Sequence, residues 1–73
     1  MISKHTKKLQ ALGCRIAELR KARGLSQEDL AERASISYSY LTKIEAPNCD
    51  VSFSIETFFD LADALGVSPK DLF

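Results

Sequence analysis

The chain has 73 residues, 45% of them hydrophobic, and its ten basic residues are balanced by ten acidic ones. This allows one small domain with a packed core, is too short for two cores, and is too apolar for a disordered chain. No apolar run approaches the ~18 residues that span a bilayer, and MISKHTKKLQ has basic residues with no apolar region after them, so a cytoplasmic protein without a membrane partner is expected.

Residues 1–8 lack apolar periodicity and read as a basic N-terminal arm ahead of a domain over 9–73. His5 falls in no catalytic or metal-ligand spacing and reads as a surface residue. From 7 to 23, Leu9, Leu12, Ile16 and Leu19 recur at steps of three or four, which puts them on one helical face. Gly24 supplies the left-handed residue that ends this helix. Gly13 lies inside the pattern and costs about 1 kcal/mol relative to Ala. It either permits close packing or is simply tolerated.

Residues 25–44 read as two short helices, about 27–34 and 38–46. Ser26 can cap the first, with Asp29 answering in a capping box and Leu25 and Leu30 placed as a hydrophobic staple. The grammar repeats with Ile36, Ser37 as a second N-cap, and Leu41. Only Ser35 and Ile36 separate Ala34 from that cap, so the helices must cross steeply, as in a helix-turn-helix. Leu30, Ala31, Leu41 and Ile44 are the expected core contributors.

Pro47 stops the second of these helices, and 48–52 reads as a loop. Ser54 caps a fourth helix running to about Leu65, with Phe53 and Phe58 at staple spacing. Ile55, Phe58, Leu61, Ala62 and Leu65 form its inward stripe. After Gly66, Val67-Ser68-Pro69-Lys70-Asp71-Leu72 repeats the capping pattern and predicts a short fifth helix or turn. The fold class is all-α: a compact bundle of five short helices in which helices 2 and 3 form the helix-turn-helix.

Charge is unevenly distributed. Residues 1–23 hold seven basic residues and one acid, whereas 24–73 hold three basic residues and nine acids. A basic front can meet phosphate while an acidic back faces away; chance asymmetry on solvated faces is the alternative. Cys14 and Cys49 show neither Cys-x-x-Cys nor Cys/His ligand spacing and read as two free thiols. No paired acid and base, activated nucleophile or metal cluster is present, so neither an enzyme, a cofactor nor a metal site is expected.

The run Gly24-Leu25-Ser26-Gln27-Glu28-Asp29-Leu30-Ala31, with Ile36-Ser37, Leu41, Ile44 and Glu45 at their spacings, resembles the phage-repressor-like (Xre, lambda-repressor-like) helix-turn-helix DNA-binding family. The resemblance extends from about Leu12 to Phe73. It implies a lambda-repressor-like fold and double-stranded DNA as partner. It places base contacts on Ser37, Tyr38, Ser39 and Lys43, and phosphate contacts on Ser26, Gln27 and Tyr40. It also implies an internal salt bridge between Arg20 and Glu45. Ser37 doubles as a cap, and Tyr40 alternatively reads as a partly buried aromatic.

The chain departs from the family pattern in three places. Ser35 stands at a turn position that is usually Gly. The segment after Glu45 has an acid, Asp50, and no base, so phosphate contacts are expected to lean on the N-terminal helix and arm. Phe59 falls where a polar residue is usual; with Val51 and Phe53 it suggests a homodimer interface, unless it packs locally. The function read from the sequence is a transcriptional regulator binding a palindromic operator as a homodimer, without a small-molecule ligand. The alternative is a protein-interaction module of the same fold, antitoxin-like or partner-docking, with weak or lost DNA binding.

Overall fold

The computed structural model describes residues 5–46 and 53–72; the expected loop at 48–52, with Cys49, Asp50 and Val51, and residues 1–4 of the expected arm lie outside them. Helices α1 (Thr6–Ala22), α2 (Gln27–Ala34), α3 (Tyr38–Glu45) and α4 (Ile55–Leu65) are followed by a 3-10 turn, Pro69–Leu72. Four α-helices and one tighter turn therefore stand where five helices were expected. The turn is closed by the Asp71 N–H donating to the Ser68 carbonyl at 2.9 Å, an i→i+3 bond, and four residues complete only one such turn. Helix α1 begins at Thr6, so the helix takes in Thr6, Lys7 and Lys8 of the expected arm. None of the described helices is long and apolar enough to cross a membrane.

One connector is used three times. After α1 the Gly24 N–H bonds the Lys21 carbonyl and the Leu25 N–H the Arg20 carbonyl. After α2 the pairs are Ser35 to Glu32 and Ile36 to Ala31. After α4 they are Gly66 to Asp63 and Val67 to Ala62. Each pair is a 5→2 and a 6→1 bond, a Schellman motif, which needs a left-handed residue at its centre. Gly24 and Gly66 supply it at φ +68 and +70; Ser35 adopts it at φ 58, the one non-glycine to do so among the described residues. For a residue with a Cβ that conformation costs about 1 kcal/mol or more.

The residue after each left-handed centre (Leu25, Ile36, Val67) packs against the core. A serine follows each of them and begins the next element. Ser26 accepts from the Asp29 N–H at 3.0 Å, and the Asp29 carboxylate accepts from the Ser26 N–H at 3.1 Å. Ser37 accepts from the Tyr40 N–H at 3.0 Å. Before the last turn the Ser68 N–H donates to the Asp71 carboxylate at 3.0 Å. Ser54 caps α4 in the same way, through the Thr57 N–H.

The core draws Ile16 from α1, Leu30 from α2, Leu41 from α3, Leu61 and Leu65 from α4, and Leu72 from the last turn, all fully buried. Ile55 was expected in this stripe and is 67% exposed. It shares the stripe of Phe58, Ala62 and Leu65 but occupies the first position of α4, at the end of the helix, where no element among the described residues covers it. Phe59 is half exposed, with its ring 5.9 Å from that of Phe58.

Gly13 turns out to be a packing residue. A Cβ there would overlap the Ile44 carbonyl oxygen and stand 3.2 Å from the Ile44 carbon. Helix α1 lies directly on the C-terminal end of α3, and only a missing side chain permits it.

Candidate nucleic-acid interface

Helix α3 is anchored by one face and leaves the other open. Leu41, Ile44 and Glu45 are buried, and Tyr40 is half-buried against the core. Ser37, Ser39 and Lys43 are exposed, and Tyr38 is 51% exposed. Ser39 and Lys43 are four residues apart and share a ridge. Thr42, beside them, turns its hydroxyl back to donate to the Ser39 carbonyl at 2.7 Å. The four residues assigned to base contacts thus lie together on the solvent side of a two-turn helix.

The C-terminal end of α3 is fixed by a buried ionic cluster. Arg20 Nε donates to Glu45 Oε2 at 2.9 Å and to Oε1 at 3.1 Å, and Arg20 Nη2 donates to Oε1 at 3.0 Å. Arg20 Nη1 donates to the Leu25 carbonyl at 2.9 Å. The two side chains are 11% and 4% exposed. A bidentate Arg–carboxylate pair this buried is held by geometry, and removing either partner would strand a charge. The pair fastens α1 and the α1–α2 connector to α3.

Gln27 joins the same cluster: its Nε2 donates to Glu45 Oε1 at 3.1 Å. The resemblance assigned Gln27 to phosphate, and nothing in its spacing announced this internal bond across eighteen residues. A carboxamide nitrogen has two N–H groups, so one stays available for an acceptor outside the protein. Tyr38, Thr42 and Glu45 follow one edge of α3 that leads to Gln27.

Ser26, also assigned to phosphate, is more committed. Its backbone N–H donates to the Asp29 carboxylate and its hydroxyl oxygen accepts from the Asp29 N–H, so both groups serve the capping box. The Ser26 N–H bond is the main cause holding the Asp29 carboxyl below its ordinary pKa of 3.8, followed by the bond to the Ser26 hydroxyl and the charge of Arg33; the slight burial of the carboxyl opposes them. Glu28 and Asp29 place two exposed carboxylates on the first turn of α2. These offset the partial positive charge that a helix N-terminus offers an anion.

Among the described residues, the basic side chains of the first 23 do not form a single front. Arg20 is buried in the ion pair. Arg15 Nε donates to the Asp71 carbonyl at 3.1 Å, and Arg23 Nη2 to the Gly66 carbonyl at 3.4 Å. Lys8 lines the same groove as Arg15 and Leu72. These three lie toward the last turn and the end of α4, away from the Gly13 and Arg20 face that meets α3. Of the others, Lys7 and Lys21 are exposed, and Lys4 lies outside the described residues. Counting charge along the chain did not separate these faces.

A helix-turn-helix pair with an open second helix defines a class, and the comparisons place the chain within it. The family model for helix-turn-helix domains matches residues 16–72, and the chain belongs to that family. The chain is 36% identical over 61 residues to the uncharacterized HTH-type transcriptional regulator y4dJ of Sinorhizobium fredii, covering 84% of this chain and 77% of that protein. It is 45% identical over 56 residues to the immunity repressor protein of Bacillus phage phi105, covering 77% and 38% respectively. Against the regulator DdrOP3 of Deinococcus deserti it is 40% identical over 58 residues, covering 80% and 43%. The chain thus spans less than half of the last two. Among solved structures, the restriction-modification controller protein C.AhdI from Aeromonas hydrophila superposes with a TM-score of 0.85 at 37% identity, over 92% of this chain and 98% of that one.

Proposed function

We propose that the protein is a transcriptional regulator that binds double-stranded DNA sequence-specifically, as a homodimer on a palindromic operator. The observation that carries this reading is the form of α3. Its buried face and C-terminal cluster fix the helix, while Ser37, Tyr38, Ser39 and Lys43 stay exposed together. The major groove admits a helix, and side chains near its N-terminus discriminate bases. Lys43 donates to guanine O6 or N7. Tyr38 offers a ring to the thymine methyl and a hydroxyl to a base edge or phosphate. Gln27, the Ser26 hydroxyl and Tyr40 position the backbone. The names of the regulators and the repressor above support the same reading.

Selection of bound sequences from a random duplex pool tests it. A palindromic consensus with half-sites about one helical turn apart is the expected result; no enrichment over the starting pool would reject it. The exposed carboxylates of Glu28 and Asp29 on α2, with the zero net charge, favour one other reading, a protein-interaction module with lost DNA affinity. A gel-shift series in falling salt separates the two, because phosphate contacts steepen binding as salt falls.

A further inference from the structure

Helix α1 and the last turn do not close on each other along their whole length. Between them runs a half-open groove of about 620 Å³, floored by Leu9, Leu12 and Leu72 and bordered by Lys8 and Arg15. The bond from Arg15 Nε to the Asp71 carbonyl holds the turn in place as one wall. Glu18, 3.9 Å from Arg15, is the one acid on the lining among the described residues. Helix α4 carries a surface of the opposite kind. Ile55 and Phe59, 67% and 48% exposed, stand one turn apart as an apolar ridge. Each is followed by an exposed acid, Glu56 and Asp60.

We infer that the α4 ridge of one copy seats in the α1 groove of a second copy. The inference rests on the dimeric regulator proposed above and names what Phe59 meets. Ridge against ridge across a two-fold axis would bring four carboxylates together. Ridge in groove instead sets Glu56 and Asp60 near Lys8 and Arg15 and covers Leu9, Leu12 and Leu72. The last turn, one wall of the groove, packs on both α1 and α4. In a two-fold pair each copy gives its ridge to the other's groove, so the contact is made twice.

Charge reversal tests this in the full chain without DNA, read by sedimentation equilibrium. Glu56→Lys with Asp60→Lys weakens self-association about tenfold or more, and Lys8→Glu with Arg15→Glu does the same. Lys8→Glu alone, which leaves the Arg15–Asp71 bond intact, weakens it in the same direction. All four substitutions in one chain bring it back to within about threefold of the parent. A parent that stays monomeric at millimolar concentration overturns the inference. So does a groove reversal without effect, or a quadruple variant no better than the doubles. Duplex binding by gel shift is read separately: a chain that binds DNA but stays monomeric overturns this contact and leaves the DNA reading standing.

Discussion

Gly13→Ala sets two rules against each other. Helix propensity alone favours Ala at an interior position by about 1 kcal/mol. The structure predicts the opposite sign. The added Cβ overlaps the Ile44 carbonyl oxygen, a backbone atom that cannot rotate aside, and crowds the Ile44 carbon at 3.2 Å. Restoring an ordinary contact requires α1 to recede from α3 by roughly 1 Å, and overpacking of this kind typically costs 1–3 kcal/mol. The same movement stretches the Arg20–Glu45 bonds, now 2.9–3.1 Å, which span the two helices. Net of the propensity gain, we expect a loss of about 2 kcal/mol, or roughly 10 °C in Tm for a domain this small. Urea unfolding followed by circular dichroism measures it. Gly24→Ala is the control: nothing lies within 4 Å of its Cβ position, so it loses only the about 1 kcal/mol of its left-handed conformation. A Gly13→Ala variant as stable as the parent would refute the close approach of α1 to α3.

Arg20→Ala or Glu45→Ala should each lower stability by about 3–5 kcal/mol, because the partner is left as a buried unpaired charge; unchanged melting of both would contradict the pair's burial. Ser35→Gly relieves the left-handed strain and should raise stability by about 1 kcal/mol in the same urea assay, and a loss instead would mean that the Ser side chain contributes to the turn. The folded-state pKa of Asp29 is lowered, so its capping contribution is present above its unfolded value near 3.8 and disappears as pH falls through the lower folded value. Asp29→Asn is therefore expected to melt below the parent at pH 7 and to converge with it in strong acid; a gap independent of pH would exclude the charge as its source. In a selected-sequence assay Lys43→Ala should relax preference at one base position, by about 1–3 kcal/mol of discrimination, while Gln27→Ala weakens all sequences alike. An unchanged consensus for Lys43→Ala would leave that residue to phosphate or solvent.

The helix ends were legible because they are written as residue types at fixed offsets. Ser26, Ser37 and Ser54 cap where their spacing places them, and Gly24 and Gly66 take the left-handed positions. The core was legible for the same reason, except at Ile55, where periodicity continued past the point at which neighbours run out. The interface was less legible. Arg20 and Glu45 meet across twenty-five residues, and only family resemblance paired them. Gln27 was read as facing outward, yet a buried carboxylate holds one of its N–H groups. The bonds of Arg15 to Asp71 and Arg23 to Gly66 join residues far apart in the chain, which is why charge along the sequence leaves a single basic front and a divided set of cations equally open.

The triple connector has a kinetic consequence. Each of the three turns is closed by hydrogen bonds reaching back no more than five residues, and the serine starting the next element bonds three residues ahead. Little loop-closure entropy is lost in forming them, so they can appear in the unfolded ensemble before the core assembles. What remains is the docking of the helices on one another, and folding is expected on the order of microseconds to milliseconds. Ser35, at φ 58 the least favourable of the three centres, is then the connector that is least populated before the core forms, and it joins the two helices of the helix-turn-helix.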